Sequence, residues 1–130
     1  MLTTVKWTDE MSVHIPAIDD DHKKIVALLN KVIAAGCAGV GRAAIAEALG
    51  ELEDYTATHF GREEAMLRAK GYPGLDNHTL VHFKLIQELQ RLRSAPEFRT
   101  REALDLLSRW LIEHILKTDM AYATYFNEQA

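Results

Sequence analysis

Four segments of this chain repeat apolar residues at three- and four-residue intervals, and five of its six histidines fall inside those apolar stripes. Residues at such spacings share one face of a helix. The breaks between segments are 36-GCAGVG-41, 71-GYPG-74 and 94-SAPEF-98, rich in the residues that end helices. The first segment, about Ile18 to Ala35, carries Ile18, His22, Ile25, Leu29 and Val32 on one stripe. Asp19, Asp20 and Asp21 lie at its start, where carboxylates favour the positive end of a helix dipole. The second, about Arg42 to Ala69, repeats Ile45, Leu49, Leu52, Tyr55, His59, Glu63 and Met66. The third, about Leu75 to Arg93, runs through His78, His82, Leu85, Leu89 and Leu92. The fourth starts near Thr100 and shows Leu104, Leu107, Leu111 and His114. No β-type alternation is found. The pattern predicts an all-α fold, an antiparallel up-down-up-down four-helix bundle. Residues 1–17 show no helical stripe and contain Pro16, so they read as an extended N-terminal arm with Trp7 as its packing anchor. Residues 18–126 read as the bundle, and a short C-terminal helix through Tyr122 and Phe126 is a further expectation.

Composition limits the function classes. A chain of 130 residues fits a single domain, 1–130, with one sizeable core. A net charge of −4 offers no basic face to nucleic acid or anionic lipid. No apolar run reaches the roughly 18–20 residues of a membrane span, and the N-terminus, MLTTVKWTDE, lacks the apolar core of a secretory signal. A lone cysteine, Cys37, excludes an internal disulfide, and the expected location is cytoplasmic.

His22, His59, His78, His82 and His114 replace aliphatic residues, and every one of the four helices contributes at least one. One core histidine is ordinarily a hydrogen-bonded structural residue. Five in one small interior are harder to satisfy, because each neutral ring brings a donor and an acceptor into a leucine-rich core. Glu63, four residues after His59, adds a buried carboxylate, and no lysine or arginine occupies these stripes to neutralise it. A metal ion relieves both problems. Chain order supports it: His22 and the pair His78/His82 sit near helix starts, His59/Glu63 and His114 near helix ends, and in an up-down bundle those ends meet at one level. In 114-HILKTD-119, five residues of α-helix turn through about 500°, leaving Asp119 some 140° from His114. Asp119 is therefore either an exposed C-terminal aspartate or a seventh ligand turned inward by an end, bulge or unwinding of the helix.

Five imidazoles and two carboxylates exceed the needs of one ion. Structural zinc commonly takes thiolates, and calcium or magnesium prefers oxygen alone. Imidazole with carboxylate suits iron, with manganese, zinc and copper still open. Two ions bridged by the carboxylates would take about three and two histidines each, leaving a free position for a small exogenous ligand. The Glu-x-x-His pairs of carboxylate-rich di-iron bundles are absent: three residues before the core histidines stand Asp19, Thr56, Leu75, Thr79 and Leu111.

The segments 18-IDDDHKKI-25, 59-HFGREEAM-66, 78-HTLVH-82 and 110-WLIEHILKTD-119 resemble the hemerythrins in their single-domain bacterial form, in order and across nearly the whole chain. The resemblance implies two non-haem iron ions with an oxo or hydroxo bridge and reversible binding of O2. It assigns His78, His82 and His114 to one iron and His22 and His59 to the other, with Glu63 and Asp119 bridging. It also places Ile25, Phe60, Trp110 and Leu111 around the oxygen pocket, although core packing accounts for these four equally well. Expected ligands are O2, with NO or azide-like small anions at the same site, and an oxygen-consuming enzyme is the expected client. Sensing through a separate partner, and peroxide or nitric oxide turnover, are the alternatives. The chain stops at Ala130 without a transducer, and four walls of helix admit mainly diatomics, so both rank below oxygen storage, buffering or delivery. Glu113 stands beside His114 where the family often carries a neutral amide, and could alter that ligand's surroundings. His14 lies in the arm, outside the ligand pattern, and reads as a surface residue. Cys37 reads as an ordinary thiol.

Overall fold

The computed structural model describes residues 5–37, 42–94 and 100–129, with side chains at 37, 42, 100–104, 106 and 127–129 outside that description. The helices are α1 (Pro16–Cys37), α2 (Arg42–Ala69), α3 (Leu75–Ser94), α4 (Thr100–Glu113) and α5 (Met120–Gln129). A π-helical segment, His114–Asp119, joins α4 to α5, so these three form the fourth rod of an antiparallel four-helix bundle. α1 packs on α2 and α4, and α2 packs on α3. No helix among the described residues is long and apolar enough to cross a membrane.

The arm departs from the expectation in two ways. α1 begins at Pro16, not Ile18, because a proline at the first helical position has the right φ and no N–H to waste. A 3-10 turn, Asp9–Met11, also interrupts the extended segment. The arm is anchored by more than Trp7, which is half-buried beneath the Lys23 ammonium, 5.5 Å from the ring centre. Met11 and Val13 are buried. The Asn30 side chain pairs with Val5 on both backbone groups, at 2.7 and 2.8 Å. Asp19 accepts from the Ser12 hydroxyl and the Val13 N–H at 2.6 and 2.8 Å. His14 is exposed at φ +61°, in the turn that brings the arm to Pro16.

The turn between α2 and α3 is set by its glycines. The N–H of Gly71 bonds to the Arg68 carbonyl and that of Tyr72 to the Leu67 carbonyl, 3.1 and 3.0 Å, a Schellman end with Gly71 at φ +67°. Tyr72 then folds back over the Leu67 cluster. A Cβ on Gly74 would stand 2.8 Å from the Tyr72 ring, so any larger residue there would have to displace that ring.

The core has two apolar ends. One gathers Ile25, Leu29, Val32, Leu49, Leu52, Leu89, Leu107 and Leu111, among others. The second contains Val13, Ile18, Leu67, Tyr122 and Ala123. Along every rod the histidines fall between these clusters: His22 between Ile18 and Ile25, His59 between Leu52 and Leu67, His114 between Leu111 and Tyr122. The polar layer is thus closed above and below by packed hydrocarbon. Leu52 is fully buried in the larger cluster, so Leu52→Ala should lower the unfolding free energy by about 2–5 kcal/mol in urea titrations; a loss well below 1 kcal/mol would mean that this end of the bundle is not close-packed.

Candidate metal centre

Each helix delivers its polar side chains by ordinary spacing. His59 and Glu63 on α2, and His78 and His82 on α3, are four apart and share a face. His22 stands on the second turn of α1. The fourth rod needs a different device. A π-helix closes i→i+5 hydrogen bonds, which brings residues five apart onto one side. His114 and Asp119 bracket the π segment, and the His114 Nε2 lies 3.1 Å from Asp119 Oδ1. Asp119 is fully buried. Of the two readings open from the sequence, the inward one describes the structure.

All seven side chains meet, and all are buried. They form two overlapping groups: Glu63, His78, His82, His114 and Asp119 in one, and His22, His59, Glu63 and Asp119 in the other, with candidate ligand atoms in each within 4.8 Å of one another. The carboxylates divide their oxygens between the groups. Glu63 Oε1 lies 2.7 Å from His78 Nε2 and 3.0 Å from His82 Nε2, while Oε2 lies 3.2 Å from His59 Nε2 and 3.5 Å from His22 Nε2. Asp119 Oδ1 faces His78 and His114, both at 3.1 Å, and Oδ2 faces His22 at 3.0 Å.

The donor set fits cations. Nε2 of His22, His59, His82 and His114 and both oxygens of Asp119 are buried without a hydrogen-bond partner. Six inward lone-pair atoms left unsatisfied in a closed core would be costly in an ordinary protein. Imidazole nitrogens and carboxylate oxygens of this kind are ligands for first-row divalent ions.

The groups that orient these histidines are not evident from the sequence. The Asp21 carboxylate lies 2.8 Å from His59 Nδ1, and receives bonds from Arg62 Nε and Nη2 at 3.1 and 2.8 Å and from the Tyr55 hydroxyl at 2.8 Å. An acceptor there puts the proton on Nδ1 and leaves Nε2 as the inward lone pair, the arrangement that metal-ligating histidines ordinarily use. Tyr55, His59 and Arg62 are spaced four and three apart on α2, which is the signal the sequence carries, whereas Asp21 reads there as part of an acidic helix start. Glu64 plays the matching part for His82 Nδ1 at 2.9 Å. Tyr122, fully buried three residues beyond Asp119, donates to Glu63 Oε2 at 3.1 Å.

The expected oxygen-pocket residues separate. Ile25, Phe60 and Leu111 line a cavity of about 10 Å³ with His22, Thr56, His59, His114, Ile115 and Asp119. Trp110 does not. It is half-buried in an outer groove with Glu88, Arg109 and Glu113, because Trp110 and Leu111 flank the His114 stripe on opposite sides and Trp110 falls on the side of α3. Glu113 is exposed in that groove, one residue and so about 100° away from His114. Phe60 also stacks on the His82 ring, 3.6 Å between centres and 3° from parallel, which holds that imidazole edge-on to the cluster. The Cys37 side chain lies outside the described residues.

A four-helix bundle whose centre is a closed layer of five histidines and two carboxylates defines a protein built to hold metal inside its core. Residues 13–126 match the Hemerythrin HHE cation binding domain, and the chain belongs to the hemerythrin family. It is 37% identical over 120 residues to a bacteriohemerythrin of Stenotrophomonas maltophilia, covering 90% of this chain and 78% of that one. A bacteriohemerythrin of Methylococcus capsulatus is 32% identical over 126 residues, 93% of this chain and 95% of the relative. A crystal structure of wild-type hemerythrin superposes with a TM-score of 0.83 at 28% identity, over 94% of this chain and 97% of that one.

Without metal the cluster must hold protons. Burial alone would lower the His22 and His78 pKa values, but the Asp119 and Glu63 carboxylates outweigh it and raise both to about 9. Burial pushes the other way on Glu63 and Asp119, and the surrounding histidines still hold both below the usual carboxylate range. Raised histidines stabilise the metal-free fold fully below their ordinary 6.5 and lose that contribution as pH rises through about 9. Urea midpoints of metal-free protein should therefore fall between pH 6.5 and 9, whereas metal affinity should rise over the same range as ligands shed protons. A metal-free midpoint that is flat or climbs across that interval would contradict this charge arrangement.

Proposed function

We propose that this protein binds O2 reversibly at two non-haem iron ions held by the buried cluster, one by His78, His82 and His114 and the other by His22 and His59. Glu63 and Asp119 would bridge them together with an oxo or hydroxo group. The observation that carries this reading is the division of each carboxylate, one oxygen toward the three-histidine group and the other toward the two-histidine group. Such a pair of ions supplies the two electrons that reversible capture of O2 requires.

The protein's own residues do the rest. Asp21 and Glu64 hold His59 and His82 by their outer nitrogens, so both rings keep an inward lone pair without rearrangement. Ile25, Phe60, Leu111 and Ile115 wall the small cavity with hydrocarbon and exclude water and stray protons that would discharge a bound ligand. The cavity is at the lower limit for one water-sized molecule, which disfavours any substrate larger than a diatomic or an azide-like anion. This supports a binder, not an enzyme: a single hemerythrin-like domain of the cytoplasm that stores, buffers or delivers O2 to oxygen-requiring enzymes.

Anaerobic, reduced, iron-loaded protein should gain a visible ligand-to-iron charge-transfer band on exposure to O2 and lose it under vacuum over repeated cycles. An irreversible change, or steady O2 consumption in the presence of a reductant, would replace the carrier reading with a catalytic one.

A further inference from the structure

Thr56 stands one turn before His59 on α2 and is fully buried. Its hydroxyl has no hydrogen-bond partner. A buried threonine inside a helix ordinarily satisfies its hydroxyl on the carbonyl four residues back. Two residues further along the same helix, Thr58 does this, bonding the Asp54 carbonyl at 3.0 Å. Thr56 does not, and it lines the same small cavity as His22 and His59. The cavity's other non-ligand walls, Ile25, Phe60, Leu111 and Ile115, carry no polar side-chain atom. A hydroxyl left unsatisfied in such a place costs stability. Valine has nearly the same shape and would avoid that cost.

We infer that Thr56 is a specificity-determining residue of the ligand cavity, its hydroxyl donating a hydrogen bond to the outer atom of a small ligand held against the two-histidine side. Helical threonine has two accessible χ1 wells, so the hydroxyl can turn to a newcomer without backbone movement. A ligand whose outer atom accepts a hydrogen bond, such as azide or O2 carrying negative charge, is favoured over one that cannot accept. A buried hydroxyl without a protein partner, on a residue that lines the cavity, is thus an available donor. The inference rests on the iron-centre reading above.

Azide titrated into oxidised, iron-loaded protein is the probe, followed by its visible charge-transfer band. Wild type should bind, Thr56→Val should bind about 3- to 10-fold more weakly, and Thr56→Ser, which keeps the hydroxyl, should stay nearer wild type. In metal-free protein the sign reverses: Thr56→Val should melt at or above the wild-type temperature, because it removes an unpaired polar group and keeps the shape. Equal azide affinity in wild type and Thr56→Val would overturn the assignment, as would a lower melting temperature of metal-free Thr56→Val, which would reveal a protein partner for the hydroxyl. A wild type that holds iron but gives no azide band overturns this inference alone, whereas one that holds no iron takes down the iron-centre reading with it.

Discussion

Two carboxylates, Glu63 and Asp119, lie at zero exposure in the middle of a leucine-rich bundle, and among the described residues no lysine or arginine is buried with them. Burying one unpaired anion costs several kcal/mol even after the protein relaxes, and two at this separation also repel. Only positive charge brought into the layer makes the arrangement tenable. His22 and His78 can supply it as protons, or the imidazoles can turn their lone pairs to cations and let the ions supply it. The structure is organised for the second. Asp21, fixed by the Arg62 fork and Tyr55, accepts from the outer nitrogen of His59 and so reserves its inner one.

The bundle exists around that layer as much as the layer exists inside the bundle. Apolar clusters close it at both ends, and the Schellman turn at Gly71 sets the pairs His59/Glu63 and His78/His82 opposite one another across a short loop. The π segment is a local departure from regular helix, placed where α-helical spacing would have pointed Asp119 away from the cluster. Such segments are found at functional sites more often than elsewhere. Here its effect is geometric: it turns a second buried carboxylate into the cluster without adding a helix.

Much of this was legible in the residues themselves. Apolar stripes with glycine and proline breaks predict four antiparallel rods, and chain order alone brings five histidines and Glu63 to one level. Spacing left Asp119 undecided, because a π segment has no signature in single-residue preferences and is set by tertiary packing. The outer ring was not read at all. Asp21 looked like one of three acidic residues at a helix start, and only the crossing of α1 over α2 shows that it faces His59 while Asp19 faces the arm. Trp110 and Leu111 both neighbour the His114 stripe, and periodicity cannot say which of two flanking residues faces a cavity and which an outer groove. In the sequence Thr56 is only the residue three before His59. Its meaning depends on a missing hydrogen bond, which no sequence displays.

We propose that the seven buried side chains hold a pair of iron ions. Metal-free protein reconstituted anaerobically with ferrous salt, desalted, and analysed for metal against protein concentration measures this directly. About two irons should remain per chain, and Glu63→Gln, which takes the shared oxygens' charge from both groups, should fail to retain the pair. A wild-type protein that keeps no iron, or that keeps one zinc in its place, would contradict an iron pair in this core.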